Sequence, residues 1–397
     1  MGDSPGPYRP ARGGTFFDVD FDRSPFTVAW EITRACALAC IHCRASAIPR
    51  RSASELTTEE GIDLIDQIVA LGTPILVVTG GDPLMRDDVY DLLEHASGRG
   101  LRVALSPSAT GRLTRPALER IKATGAQMLH LSLDGSSADV HDRFRGVHGS
   151  FDRTLARARD AVELGFVLQV GTTVSRHNVH DLEAIAERVA AARVNVWTLF
   201  FLVPTGRAQA EDMLDPLEHE RVFHWLREYG RGAPFHVRTI AAQHYRRVVI
   251  EAERPDRAHQ GDAPPRWEYT GTGFSASVRA GGSAMRGVND GNGFCFVGHT
   301  GEVCPSGFLP IVAGNVRGQP LAEIYRDSSL FRALRDPTRL KGKCGACEYR
   351  AVCGGSRARA HAVTGDFLAS DPSCAYVPTG HPKPAGVGEL HSDTRRA

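Results

Sequence analysis

Nine cysteines fall into two groups separated by more than 250 residues that contain none. Cys36, Cys40 and Cys43 lie near the N-terminus, and Cys295, Cys304, Cys344, Cys347, Cys353 and Cys374 lie in the last third of the chain. A disulfide framework suits a short secreted chain with an even cysteine count. An odd count at tight spacing in a long chain points instead to metal or cluster ligation. The chain's 397 residues exceed what one hydrophobic core organises, so two or three packed domains are expected. With 47 Lys+Arg against 46 Asp+Glu there is no basic field for nucleic acid. No apolar run approaches the ~20 residues that span a bilayer. The opening MGDSPGPYRPARGG has no apolar core, so neither secretion nor lipid anchoring is indicated and the cytoplasm is the expected compartment.

Residues 26–205 alternate strand-like and helix-like patterns. Phe26 to Thr33 is an apolar run that stops just before the first cysteine, and ILVVTG, LRVALS, MLHLSLDG, VLQVGTTV and NVWTLFFLV follow at intervals that leave room for helices. Thr57 and Glu60 form a capping box for the first of these helices, which Gly72 ends. Six strands joined by right-handed helical crossovers predict a parallel sheet in an α/β fold, a partial (β/α)6 barrel with ligands at the C-terminal strand ends. Residues 206–292 form a connecting region with a helix at Leu217 to Tyr229, and RPDRAHQGDAPPRW reads as a mobile loop. Residues 293–378 read as a small cysteine-rich α+β domain that opens on a hairpin turning at Gly298 to Gly301. Residues 1–25 are an N-terminal extension, and the polar tail 379–397 is expected to be disordered.

CALACIHC sets three thiols at C-x3-C-x2-C directly after a strand. Three thiolates can hold three irons of a [4Fe–4S] cluster and leave the fourth open to a non-protein ligand. A zinc site with His42 as fourth ligand is the alternative. The second strand ends in Gly80-Gly81-Asp82-Pro83, where glycines let the backbone approach a ligand and Asp82 offers acceptors to an ammonium group. The fourth ends in Ser132-Leu133-Asp134-Gly135, whose alternation puts Ser132 and Asp134 on one face, suited to ribose hydroxyls. Arg145, just beyond, has the planar fork that a carboxylate matches.

With these motifs in this order, residues 26–205 resemble the radical S-adenosylmethionine (SAM) superfamily. The resemblance implies that Cys36, Cys40 and Cys43 hold the catalytic cluster, that Gly80, Gly81 and Asp82 meet the SAM amino group, and that Ser132, Asp134 and Arg145 take its ribose and carboxylate. It also places His42 near the adenine and Ser108 where relatives carry a Thr-Asn-Gly motif. Its implied chemistry is reductive cleavage of SAM to a 5′-deoxyadenosyl radical that takes hydrogen from a substrate, with an electron donor such as a flavodoxin or ferredoxin.

The C-terminal group resembles the SPASM extension, which carries auxiliary iron–sulfur clusters. By that resemblance Cys344, Cys347, Cys353 and Cys374 complete one auxiliary [4Fe–4S] site, a zinc knuckle being the alternative. Cys295 and Cys304 are two ligands of a second, where Ser356 replaces a further cysteine. Either that second cluster takes a non-cysteine ligand, or it is absent and Cys295 and Cys304 are packing thiols. The segment from Lys343 to Cys374 resembles enzymes of haem d1 and alternative haem biosynthesis, which implies a tetrapyrrole substrate and cationic partners for its propionates. Arg246 and Arg247, with His244 and Tyr245, are candidates, although solvated surface charge is the commoner role of arginine. A peptide-modifying maturase and a zinc-binding interaction protein are the rival readings.

Overall fold

The computed structural model describes residues 19–253, 268–271, 274–277 and 287–382. The expected mobile loop at 254–267 and most of the expected disordered tail lie outside them. The chain alternates β1 (Thr27–Glu31), α1 (Thr58–Leu71), β2 (Ile75–Thr79), α2 (Val89–Gly98), β3 (Arg102–Leu105), α3 (Arg115–Ala123) and β4 (Met128–Ser132). Two helices, α4 (Ala138–Arg145) and α5 (Ser150–Glu163), precede β5 (Val167–Val174), and α6 (Leu182–Ala191) precedes β6 (Val196–Phe201). Next come α7 (Pro216–Gly232), β7 (His236–Ile240), α8 (Tyr245–Glu253) and a two-stranded antiparallel pair, β8 (Glu268–Gly271) with β9 (Phe274–Ser277). The cysteine-rich part contains β10 (Phe294–Val297), β11 (Glu302–Cys304), β12 (Gly314–Asn315), α9 (Leu321–Asp327), α10 (Ser329–Arg335), α11 (Gly342–Ala346) and α12 (Arg357–Thr364). No helix among the described residues is long and apolar enough to cross a membrane.

Local chemistry sets the helix ends as the sequence predicts. Thr57 and Glu60 exchange both capping-box bonds at the start of α1, and Gly72 ends it with φ 84°, a left-handed value that glycine adopts without strain. Alternation along the strands then divides the sheet. Val28, Trp30, Leu76, Val78, Leu129, Leu131, Leu168 and Val170 point to the helices and join one continuous core. Thr79, His130, Ser132, Gly171 and Thr173 face the other way, into a cavity.

The ten main strands form one sheet in the order β12-β11-β10-β1-β2-β3-β4-β5-β6-β7, parallel from β10 to β7. It therefore runs beyond the six predicted strands on both sides. At one edge the extra strand β7, whose residues are all half-buried, interrupts its apolar pattern with Arg238 and hides the strand signal. At the other, β10 pairs with β1 from Thr27↔Phe294 to Trp30↔Val297. The hairpin expected at Gly298 to Gly301 is present, with Phe296↔Cys304 and Val297↔Val303 in register.

That register bears on the two alternatives for Cys295 and Cys304. Residues directly opposed across an antiparallel pair share a face, so Cys304 lies on the side of Phe296, and Cys295, one residue earlier, lies on the other. Cys295 is fully buried in the main core, while Cys304 packs with Ala29 and Phe296. Burial pushes the Cys304 thiol up to about 12, and Cys295 higher still. The two thiols leave the sheet on opposite faces, which favours the packing role over a shared cluster. Cys295→Ala and Cys304→Ala should each cost about 1–2 kcal/mol in denaturant unfolding, the scale of a small core truncation. Neither should change iron per reconstituted chain; loss of about four irons from either variant would contradict the packing role.

Candidate active site

Backbone contacts with the end of β2 and the end of α4 hold the cysteine loop. The Gly81 and Asp82 N–H groups donate to the carbonyls of Thr33 and Ala35, both at 2.7 Å. From the other side, Ala39 and Ile41 donate to the carbonyls of Arg145 and Phe144 at the end of α4, at 3.2 and 3.1 Å. A Cβ on Gly80 would come within 2.7 Å of the Thr33 carbonyl oxygen, and one on Gly81 within 2.5 Å of that of Ala35. The two glycines thus admit the cysteine loop itself, where the sequence suggested the approach of a ligand.

Every thiol of the triplet receives a donor. Leu38 and Ala47 direct backbone N–H groups to the sulfurs of Cys36 and Cys43, each at 3.4 Å, and Arg145 Nη1 lies 3.7 Å from Cys40 Sγ. Ser108 Oγ is 3.5 Å from Cys36 Sγ and donates to the Gly81 carbonyl at 2.9 Å. The three cysteines and Ser108 line one cavity of about 220 Å³, together with Gly80, Gly81, Ser132, His42 and Arg145. Burial, reinforced by the Arg145 charge, holds His42 well below the usual imidazole range, and its ring lies 4.2 Å from that of Phe144.

Two expected contacts lie outside the cavity lining. Asp82 is fully buried and accepts from Leu84 N at 3.2 Å, Ser108 N at 3.4 Å and Thr110 Oγ1 at 2.8 Å. Its carboxylate shapes the turn, and Asp82 is not among the residues that line the cavity. Asp134 is also fully buried, where it pairs with Arg145 Nη2 and accepts from Thr173 N at 2.7 Å. Strand alternation holds only as far as Ser132, where β4 ends, so Asp134 turns inward and orients Arg145 instead of reaching a ribose.

The cavity contains residues that the sequence reading passed over. His130 precedes Ser132 by two positions on β4 and therefore shares its face; the alternation that singled out Ser132, read one step back, points to it. Arg44 follows Cys43 directly. Phe200, Leu202, Val203, Ala208, Ala241 and Phe308 form an apolar wall, and nothing local in the sequence marks Phe308 as part of it.

Residues 30–189 match the family described as the radical SAM superfamily. The "AdoMet-dependent heme synthase" of Methanosarcina barkeri is 40% identical over 362 residues, covering 91% of this chain and 99% of that protein. The chain belongs to the radical SAM superfamily. The "pre-heme d1 synthase" of Dinoroseobacter shibae is 29% identical, over 87% of this chain and 85% of its own length. In fold, this radical SAM enzyme resembles Streptococcus suis SuiB bound to the precursor peptide SuiA. The TM-score is 0.66 at 16% identity, over 89% of this chain and 76% of SuiB.

A radical SAM enzyme uses SAM and a [4Fe–4S] cluster, and the residues present fit both. A neutral thiol is a poor acceptor, so backbone and guanidinium donors aimed at all three sulfurs suit thiolate ligands. The cysteine-rich part offers a second such setting. Cys344, Cys347, Cys353 and Cys374 line one small cavity with Lys343 and Arg350. Gly355 N donates to Cys353 Sγ and Asp371 N to Cys344 Sγ, both at 3.4 Å, and Arg357 Nη2 lies 3.7 Å from Cys344 Sγ. Burial raises the Cys347, Cys353 and Cys374 thiols to about 12, an environment that a metal bond would reverse. Among the described residues no three His, Cys, Asp or Glu side chains are grouped closely enough to hold a metal ion as they stand.

Ser356 is the N-cap of α12, with its Oγ accepting from Arg359 N at 3.2 Å, so it occupies a structural position. The cationic candidates from the sequence are tied up as well. Arg246 donates to the carbonyls of Val352 and Val288, at 2.8 and 2.7 Å, and Arg247 is 6% exposed and paired with Glu220 and Glu251. His244 is buried beside them. Both guanidinium groups are engaged in contacts within the chain, Arg247 buried and Arg246 half-buried.

Gly81→Ala should force the Thr33–Ala35 segment away from its seat. Cluster content per chain after reconstitution should drop severalfold while the strands, read by circular dichroism, persist. Full iron loading in that variant would show that the seat is dispensable.

Proposed function

We propose that this enzyme modifies a carboxylate-bearing side chain of a haem-type tetrapyrrole. The observation that carries the proposal is the nearly end-to-end likeness to the AdoMet-dependent heme synthase, which spans the SAM-binding part and the cysteine-rich part alike. The cavity is in keeping with it, because it combines an apolar wall with guanidinium and imidazole groups and no Asp or Glu is among its lining residues. A flat apolar ring with carboxylate arms meets both halves of that requirement.

In this reading Cys36, Cys40 and Cys43 hold the cluster at which SAM binds. When bound, the cluster and SAM supply a one-electron cleavage that yields a 5′-deoxyadenosyl radical able to remove hydrogen from a substrate side chain. The protein's own task is placement and exclusion of water. Arg145, oriented by Asp134, takes the SAM carboxylate; Ser132 reaches the ribose; the Gly80–Gly81 backbone and Ser108 border the methionine end; and neutral His42 lies at the adenine. Asp82 acts indirectly, through the turn that carries Ser108. Cys344, Cys347, Cys353 and Cys374 hold one auxiliary [4Fe–4S] cluster, closed to SAM because no position is open. A cytoplasmic carrier of the flavodoxin or ferredoxin type delivers the electron.

Reconstituted enzyme, given a reductant, SAM and iron coproporphyrin, should form 5′-deoxyadenosine together with a porphyrin product of lower mass. Replacing Cys36, Cys40 and Cys43 by Ala should remove about four irons per chain, leave the C-terminal iron and abolish the reaction. Turnover of a peptide in place of the porphyrin would move the substrate class to that of the maturases, and SAM cleavage by the triple variant would refute the ligand assignment.

A further inference from the structure

Of the two guanidinium groups that line the cavity, Arg145 is the one the reading above gives to SAM. Arg145 is paired with Asp134 on one amino group and directed at Cys40 Sγ with the other. Arg44 is different. Its Nη2 meets Glu31 Oε2 at 2.6 Å, and its guanidinium lies over the Phe296 ring, 4.8 Å from the centroid. The other amino group, Nη1, has only a long contact of 3.4 Å to the Gly307 carbonyl. The side chain keeps 19% exposure and borders the cavity beside Phe308, on the apolar wall.

From this geometry we infer that Arg44 is the anchor for a carboxylate arm of the substrate. The inference deepens the tetrapyrrole reading above and depends on it.

Each neighbour of Arg44 serves such an anchor. Glu31 is buried at the end of β1, with His299 Nδ1 3.3 Å from its second oxygen. Burial opposes ionisation of Glu31, but Arg44 and His299 outweigh it and hold its carboxyl below the usual range. A fixed carboxylate behind the guanidinium locks the fork and leaves its far edge for a second anion, the bidentate geometry in which Arg differs from Lys. Gly307 provides the space: a Cβ there would stand 3.0 Å from Cζ, Nε and Nη1 of Arg44. Phe296 beneath the plane removes water from one face, and no Asp or Glu is among the lining residues of the cavity itself.

The test pairs a protein change with a substrate change. Arg44→Lys keeps a cation for Glu31 and removes the fork. The probes are iron coproporphyrin and its tetra-amide, in which every carboxylate is neutral, titrated into cluster-loaded enzyme with SAM present. The wild type should prefer the acid at least tenfold. Arg44→Lys should lose about tenfold in affinity for the acid and less than twofold for the amide, the scale of one charge-assisted hydrogen bond. SAM affinity should stay within twofold. Equal losses on both probes, no loss on the acid, or a fall in SAM affinity would each overturn the inference. Gly307→Ala, which crowds the guanidinium and keeps both members of the Glu31 pair, should reproduce the acid-selective loss and serves if Arg44→Lys loads iron poorly; no such loss there would also count against the anchor. A wild type that binds neither probe fails the tetrapyrrole reading and the anchor with it. A wild type that prefers the acid while both variants do the same fails the anchor alone.

Discussion

The cysteine loop has no helix or strand of its own, so its shape comes from the edges it leans on. Thr33 and Ala35 lend their carbonyls to the Gly81 and Asp82 amides, and the end of α4 lends two carbonyls to Ala39 and Ile41. Loops are ordinarily mobile because their backbone groups turn to water. Here those groups are paired on both sides, which fixes the cysteine backbone relative to β2 and α4. Gly80 and Gly81 are the condition for this, since any side chain on either would occupy the space of the loop backbone.

Buried carboxylates do similar work one step further out. Asp82 gathers three donors from two turns and Asp134 holds Arg145, and neither faces the cavity. A charge in that position costs solvation free energy unless its partners are fixed, and the fixing makes a rigid support for groups that do face it. In the cysteine-rich part Asp371 plays the same part. Its N–H meets Cys344 Sγ, its carboxylate takes Arg359 at 3.0 and 3.1 Å, and Arg359 in turn donates to the carbonyl of Ala241 at 2.7 Å. Ala241 has a left-handed φ of 55° and lines the main cavity. Cys344 and the cavity wall are thus joined through a single buried carboxylate.

Much of this was legible in the sequence, for physical reasons. Six strands, the α1 capping box and the helix at Leu217 to Tyr229 are set by local periodicity and caps, and all are present. Thiol spacing and the Gly-Gly-Asp and Ser-x-Asp strand ends drew attention to the segments that meet at the cavity. The direction of individual side chains was harder to read. Strand alternation reaches Asp134 only if it runs two residues past the end of β4, and the acceptors of Asp82 meet donors from its own turn and the next. Long-range pairing was harder still. That Cys295 and Cys304 lie on opposite faces follows from the β10–β11 register, and that Phe308 closes the cavity follows from tertiary packing, neither of which a local pattern encodes.

The parallel pairing of β1 with β10 joins residues 27–30 to residues 294–297. A contact of that span closes late, because loop entropy must be overcome before the contact repays it. While the chain leaves the ribosome, β1 therefore waits with one edge bare, and an apolar edge strand is a template for pairing with the wrong chain. The same delay governs the first cysteine triplet. Phe296, His299 and Gly307, which box in Arg44 next to Cys43, arrive only with the last third of the chain. The order of synthesis thus separates formation of the cysteine loop from its enclosure. In that interval the nascent thiols are open to a scaffold delivering iron and equally to oxygen. Assembly of the holoenzyme is in this sense a race between cluster delivery and closure of the sheet.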